Sequence, residues 1–336
     1  MKKILYIGNK LSQKGKTDST IDTLGKGLEE LGFQVVYASS YKSILLRFID
    51  MIWAVFKHRK TTDYVLIDTY STLNFYYAFA VSQLCRWFHL KYIPILHGGN
   101  LPNRLKTSPK LSKAIFAFAY NNVAPSLYLK SHFESNSFSN VIFIPNSIKI
   151  EDYKFQKKND PSVKLLWVRS FSEIYNPSLA IKVLKALKDE NIEAELCMIG
   201  PEKDGSLESC KALAKKLALE VEFTGRLTKP QWHKKATDFN IFINTTHVDN
   251  APVSVIEAMA LGLPVISTNV GGMPFLIENK TDGILVEPND VQAFVLAVKE
   301  LTFNTKIATI IANNARRKVE DYDWNNVKYH WGNLLE

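Results

Sequence analysis

The sequence predicts an α/β protein of two domains, each a doubly wound parallel sheet. Three observations carry that reading. Short apolar runs alternate with helical patterns along the chain, as strands and crossover helices of a parallel sheet do. At 336 residues the chain is long enough for two domains with separate cores. The stretch Thr245–Gly272, TTHVDNAPVSVIEAMALGLPVISTNVGG, with the apolar run Phe239–Ile243 before it, reads as a complete strand–loop–helix–strand unit. Loops of such a unit lie at the carboxyl ends of the strands, the edge at which open α/β sheets bind ligands.

In the first half, Lys3–Ile7 is a buried strand, and the polar loop Gly8–Lys16 precedes a helix over Ser19–Leu31. Gly15-Lys16-Thr17 looks like the end of a phosphate-binding P-loop, but six residues separate Gly8 from Gly15 where that motif needs four. A G-x-G-x-x-G dinucleotide fingerprint is also absent. Phe33–Ala38 is a strand. Ser43–Lys60, SILLRFIDMIWAVFKHRK, is an amphipathic helix with a basic tail. It fits a helix that covers the sheet. It also fits one lying on an anionic membrane surface, with Arg47, Lys57, Arg59 and Lys60 near the headgroups. Tyr64–Asp68 is a strand, Leu73–His89 an apolar helix, and Tyr92–Leu96 a strand ending in His97-Gly98-Gly99-Asn100. Arg104, Lys106, Lys110 and Lys113 then fall in a basic segment expected to be flexible. Asn122–Pro125 and Val141–Ile144 complete the first domain, residues 1–147, and polar residues 148–162, with Asp160-Pro161, read as a linker.

The second domain, residues 163–320, opens on the strand Lys164–Val168, followed at once by Arg169. Pro177–Asp189 and Ser206–Ala218 are helices, and Ala194–Ile199 and Val221–Thr224 are strands, the latter followed by Gly225-Arg226-Leu227. In the unit described above, Pro252 stands at the helix start, Val253–Leu261 is the helix, Gly262 stops it, and Pro264–Thr268 is the next strand. Gly283–Glu287 is a last strand, and two helices fill 289–320. Residues 321–336 hold a final helix, Trp324–Leu335. Asp321-Tyr322-Asp323 has the spacing of a D-x-D metal motif but precedes a helix, far from any strand end. Carboxylates at a helix start, with Asp323 as a cap, explain it better, and no metal site is expected.

The chemistry of the central unit follows from its residues. The amides of Val253, Ser254 and Val255 occupy the first helical turn and lack partners inside the helix. With the helix dipole they form a site suited to a phosphate. Glu257, further along, can accept hydroxyls as a ribose diol requires, and Asp249 on the loop can reach a second polyol. Two carboxylates bracketing an anion site suit a sugar–phosphate–nucleoside ligand. The plainer alternative is that Asp249 or Asn250 caps the helix and Glu257 is a solvated surface residue.

Composition narrows the class. Apolar content of 46% and charged content of 22% are those of a water-soluble globular chain. Cys85, Cys197 and Cys210 have no metal spacing and an odd count, which points to a reduced, cytoplasmic setting. MKKILYIG reads as a first strand, not a secretion signal. The net charge of +9 is unevenly placed: residues 1–147 carry 18 Lys+Arg against 8 Asp+Glu, and residues 148–336 carry 24 against 25. A basic first half suits an acidic partner. No nucleic-acid-binding motif is present, so a phosphorylated acceptor or an anionic membrane surface fits better.

Glu257-Ala258-Met259-Ala260, Gly262, Pro264-Val265-Ile266 and Gly271-Gly272 match, in order and spacing, the signature that this stretch closely resembles: that of retaining glycosyltransferases of family 4. The first acidic position of that signature is Asp249 here, where the family usually has Glu. The resemblance implies the GT-B fold, two Rossmann-like domains facing a central cleft, with the last helix crossing back to the first domain. It implies that Glu257 binds ribose, that Arg169 and the helix amides hold a diphosphate, and that Asp249 meets the donor sugar. His97 with Gly98 and Gly99 resembles the strand-end loop that faces the donor sugar, and Gly225, Arg226 and Leu227 the turn that meets the nucleobase. Pro145-Asn146-Ser147 resembles the family's P-N-G turn. Val168 replaces the glycine before the arginine, and Ile174 and Tyr175 stand where the family has a lysine, which either weakens the diphosphate site or moves one contact to Tyr175 or Lys229.

The expected activity is transfer, with retention and without metal or other cofactor, from a nucleotide-diphosphate sugar to a glycan or lipid-linked acceptor of surface polysaccharide synthesis. A UDP-sugar is favoured over a GDP-sugar. Asp249, Arg169 and His97 are the expected catalytic residues. The alternatives are a nucleotide-sugar 2-epimerase on the same fold and a non-catalytic nucleotide-sugar-binding partner subunit.

Overall fold

Strands that are apolar on both faces must be covered on both, and each of the two sheets is. The computed structural model describes residues 1–11, 19–157 and 162–336. Gly15-Lys16-Thr17 and Asp160-Pro161 lie outside the described residues. The chain divides into two units, Met1–Ser147 with Trp324–Glu336, and Ile148–Asp323.

The first unit runs β1 (Lys3–Ile7), α1 (Thr20–Glu30), β2 (Gln34–Ala38), α2 (Ile44–His58), β3 (Tyr64–Thr69), α3 (Asn74–Trp87), β4 (Lys91–Leu96), α4 (Leu101–Thr107), α5 (Pro109–Phe116), β5 (Asn122–Ala124), α6 (Leu127–Ser135) and β6 (Val141–Phe143). Its sheet is parallel, in the order β2-β1-β3-β4-β5-β6. Alternate residues of β1 and β3 serve opposite faces. Ile4, Tyr6 and Leu66 pack with α1, while Leu5, Ile7, Val65 and Ile67 pack with α2 and α3.

The second unit runs β7 (Val163–Val168), α7 (Pro177–Asp189), β8 (Ala194–Ile199), α8 (Ser206–Lys216), β9 (Glu222–Gly225), α9 (Lys229–Ala236), β10 (Ile241–Asn244), α10 (Val253–Leu261), β11 (Val265–Thr268), α11 (Met273–Leu276), β12 (Ile284–Val286), α12 (Val291–Phe303) and α13 (Thr305–Glu320). Its sheet, also parallel, has the order β12-β11-β10-β7-β8-β9. The strand order reverses between β7 and β10, so their carboxyl ends lie side by side at the topological switch point. The last helix, α14 (Trp324–Leu335), belongs to the first unit and packs Trp324 against Gly27 of α1.

Two sequence expectations are corrected, and two helices are added to the sequence reading. The basic segment around Arg104–Lys113 is helical, as α4 and α5, because Pro102 and Pro109 sit in first turns, where a missing N–H costs nothing. α6 and α9 escape the periodicity reading, yet each has its cap. Ser126 accepts the Leu129 N–H at 3.1 Å, and Thr228 forms a capping box with Gln231. The start of the expected linker is packed into the second unit: Ile148 bridges to Asp323, Asp323 accepts the Ile150 N–H at 3.2 Å, and Tyr153 is buried. Among the described residues, no helix is long and apolar enough to cross a membrane.

Candidate functional site

The switch point of the second sheet gathers most of the residues singled out above. Arg169 directly follows β7, and the loop Thr245–Pro252 follows β10. Two features fix the backbone around them. A Cβ on Gly200 would lie 1.7 Å from the Arg169 carbonyl oxygen, so only glycine lets the end of β8 approach there. The loop after β10 is tied to the turn after β7: the His247 N–H donates to Ile174 O at 2.8 Å, and the Thr245 hydroxyl to Tyr175 O at 2.9 Å. Asp204 anchors the same turn, accepting the Ser172 hydroxyl at 2.6 Å and the Glu173 N–H at 3.0 Å. The Ser172 and Ser206 hydroxyls hold its carboxyl down at about 2.

Arg169 and Asp249 meet in this frame, 80 residues apart in sequence, as a guanidinium–carboxylate pair. The Arg169 guanidinium lies 4.3 Å over the Tyr175 ring. Burial works against its charge, but the Asp249 carboxylate and Tyr175 outweigh that and hold the guanidinium above its ordinary range. Its Nε is buried without a hydrogen-bond partner. Asp249 Oδ1 accepts the Asn250 N–H at 2.9 Å, so the carboxylate shapes its own turn as well as pairing with Arg169.

The glycine pair fixes that turn. The Gly272 N–H donates to Asp249 O at 3.0 Å, and a Cβ on Gly272 would stand 1.8 Å from Asn250 O. At the open end of α10 no side chain caps the helix. The Val255 N–H already donates to Pro252 O at 3.1 Å, so the first-turn donors left are the amides of Val253 and Ser254. The Ser254 hydroxyl is buried with no partner. Glu257 is 4% exposed, which removes the reading of a solvated face residue. Its Oε1 accepts the Tyr153 hydroxyl at 2.7 Å and pairs with Lys229 Nζ at 2.8 Å. Burial and the Glu257 carboxylate push the Tyr153 phenol well above its usual range, so it stays a donor. On the turn after β9, the Gly225 carbonyl is taken by the Gly200 N–H at 2.9 Å, Arg226 is exposed, and Leu227 is half-buried.

In the first unit, His97 follows β4, buried, with Nε2 2.9 Å from Asp68 Oδ1. The Tyr6 hydroxyl donates to the same oxygen at 3.0 Å, and the Tyr70 ring stacks on His97 with centroids 4.8 Å apart. Asp68 is fully buried, and its Oδ2 has no partner. The carboxylate accepts from Nε2–H, which leaves Nδ1 as the ring's other polar atom. Gly98 has φ of +85° and lets the chain turn away after His97, and Gly99 is half-buried beside it.

Tyr153 and Asp68 are side chains that the sequence did not single out, and Lys229, considered there for a phosphate, is paired with Glu257. An aromatic in a polar stretch and an acid closing the apolar strand β3 were the signals available for Tyr153 and Asp68.

The family model described as "Glycosyl transferases group 1" matches residues 149–318. Among curated proteins, the chain is 31% identical over 151 residues to sulfoquinovosyl transferase SQD2 of Arabidopsis thaliana, covering 43% of this chain and 28% of that one. It is 26% identical over 195 residues to the UDP-Gal:alpha-D-GlcNAc-diphosphoundecaprenol alpha-1,3-galactosyltransferase of Escherichia coli, covering 52% and 48%. The matched stretch thus spans less than half of either relative. Among solved structures, a sucrose-phosphate synthase from Thermosynechococcus elongatus superposes with a TM-score of 0.82 at 18% identity, covering 99% of this chain and 98% of that one. HepE of Anabaena, in complex with UDP and glucose, superposes at 0.77 and 16%, covering 100% and 99%. These likenesses establish the fold: two six-stranded parallel sheets with covering helices, as in GT-B glycosyltransferases.

Proposed function

Because the chain belongs to the glycosyl transferases group 1 family, we propose that it transfers a sugar from a nucleotide-diphosphate sugar to an acceptor hydroxyl, as a retaining enzyme of the family 4 type. The observation that carries this is the switch point itself. The stretch from Asp249 to Ser254 places a buried, unpartnered serine hydroxyl at the open end of α10 and a carboxylate on the arginine that follows the neighbouring strand. Such a site suits a diphosphate with a sugar on one side and a ribose on the other.

In this reading the diphosphate takes the amides of Val253 and Ser254, the Ser254 hydroxyl and Arg169. Arg169 exchanges Asp249 for phosphate oxygens, and Asp249 is thereby released to a hydroxyl of the donor sugar. Glu257 holds the ribose through Oε2, since Oε1 already serves Tyr153 and Lys229. Leaving-group departure breaks the bond between the anomeric carbon and the phosphate oxygen and builds charge on that oxygen. The helix dipole and Arg169 stabilise that charge where it forms. The acceptor hydroxyl attacks from the same face and its proton passes to the departing phosphate, with no protein nucleophile and no metal. His97, oriented by Asp68, hydrogen-bonds a substrate hydroxyl. UDP is the favoured nucleotide, in line with the UDP found in HepE and the UDP-Gal named for the Escherichia coli relative. That relative's name also supports a glycan or lipid-linked acceptor.

Thermal unfolding with UDP, GDP, ADP, CMP and NAD tests the site, because a ligand of the folded state raises the midpoint. UDP should raise it and NAD should not. If no nucleotide shifts it, the reading fails. In turnover assays Arg169→Ala should lower kcat more than it raises KM, and EDTA should change nothing.

A further inference from the structure

α2 buries one side and exposes another that is just as apolar. Met51, Ala54 and Val55 face the core. Leu45, Leu46, Ile49, Trp53 and Phe56 lie on the opposite side of the helix and are between 45% and 67% exposed. A helix that only covers a sheet carries polar residues there.

The apolar surface continues beyond α2 as a row of rings. Trp53 stacks on Phe56 at 5.9 Å, Phe56 meets Phe88 edge-on at 5.8 Å, and Phe88 stacks on Trp87 at 5.4 Å. Trp87 is 74% exposed. Cations border the row. The Arg59 guanidinium lies 4.0 Å from the Phe56 centroid and 5.4 Å from that of Phe88. Lys57 and Lys60 are exposed at one end of the helix and Lys42 at the other, and the only acid within α2 is Asp50.

We propose that this face of the first unit docks on an anionic lipid bilayer, with α2 lying in the plane of the interface. The chemistry selects that occupant. Trp and Tyr rings favour the headgroup level of a bilayer. Lys and Arg stems lie along apolar surface while their charges reach lipid phosphates. A second copy of the chain would instead set these cations against their own kind, which complementary interfaces avoid. The proposal stands apart from the nucleotide-sugar reading, since none of these residues belongs to that site.

The test is co-sedimentation of the full chain with large unilamellar vesicles, either of phosphatidylcholine alone or of phosphatidylcholine with phosphatidylglycerol. The protein should pellet with the anionic vesicles, far less with the neutral ones, and be released by high salt. The double variant Ile49→Ser, Trp53→Ser should weaken partitioning at least about tenfold. Lys57→Gln and Lys60→Gln should each weaken it about fivefold. The thermal midpoints of all three variants should stay close to the parent, since more than half of Ile49 and Trp53 and the exposed lysines already face water. Failure to pellet with anionic vesicles would overturn the proposal, as would pelleting that the double variant leaves intact. Concentration-dependent self-association in ultracentrifugation, lost in the double variant and without lipid binding, would assign the face to a second copy.

Discussion

Replacing Glu257 separates a carboxylate that holds ligand from one that only holds the fold. The group is 4% exposed, and its Oε1 takes both the Tyr153 hydroxyl and Lys229. In Glu257→Ala the buried Tyr153 hydroxyl loses its acceptor, at a cost of about 1.5–3 kcal/mol for a bond to a charged group. The Lys229 side chain is 45% exposed, so solvent screens that pair and its loss adds less than about 1 kcal/mol. Urea unfolding of the free protein should therefore show a fall of about 2–4 kcal/mol. A ribose hydroxyl on the remaining oxygen is worth a similar charged bond, so the UDP Kd should rise about ten- to hundredfold by calorimetry. Tyr153→Phe is the control. It removes one partner of Oε1 and leaves the carboxylate, so it should cost stability but keep the UDP Kd within about threefold of the parent. A Glu257→Ala protein with reduced stability and a UDP Kd within about twofold of the parent would refute the ribose role, with Glu257 then serving only Tyr153 and Lys229.

Two further outcomes follow from the same region. Gly272→Ala would place a Cβ 1.8 Å from Asn250 O, so it should cost at least about 1–3 kcal/mol in urea unfolding and weaken UDP binding as the Asp249 turn shifts. Gly332→Ala, with nothing within 4 Å, should be neutral or stabilising, and equal behaviour of the two variants would remove the steric argument. His233 is a pH-sensitive group there. Its ring packs between Tyr153 and Trp232, and its Nε2 is buried without a partner. Burial first, and Lys229 second, lower it from 6.5, against Glu257 and Asp152, which raise it. The unfolded chain thus takes up the proton more readily. Stability is full above 6.5 and falls with pH through the lowered folded value. Between about pH 7.5 and pH 5.5 the urea midpoint of the parent should fall more steeply than that of His233→Gln, and equal slopes would exclude His233 as the source.

Much of the fold was legible because its signals are local. Apolar runs marked β7, β8, β10 and β11 to within a residue or two, and Pro252 and Gly262 bracketed α10 at the positions found. The basic segment misled because cations and prolines resemble a loop, whereas Pro102 and Pro109 occupy the one helical turn that tolerates proline. Tyr153 was hidden for the opposite reason. Its immediate neighbours are polar, and it becomes a core residue through the apolar cluster and the Glu257 carboxylate that surround it in space. On α2 the periodicity gave the helix, but the choice between its two apolar sides depends on which one β1 and α3 cover.

The chain's own order of residues thus determined a two-sheet α/β architecture, a helix start at Val253 and a loop opening at Gly271-Gly272. Those features depend on backbone conformation and period, which act over a few residues. The pairing of Arg169 with Asp249 and of Lys229 with Glu257 was decided only by the tertiary structure. Each pair joins residues far apart in sequence, and strand order, here β10 beside β7, sets which loop ends become neighbours. That order is settled by how helices cover both faces of the sheet, a property of the whole unit that no short window of sequence contains.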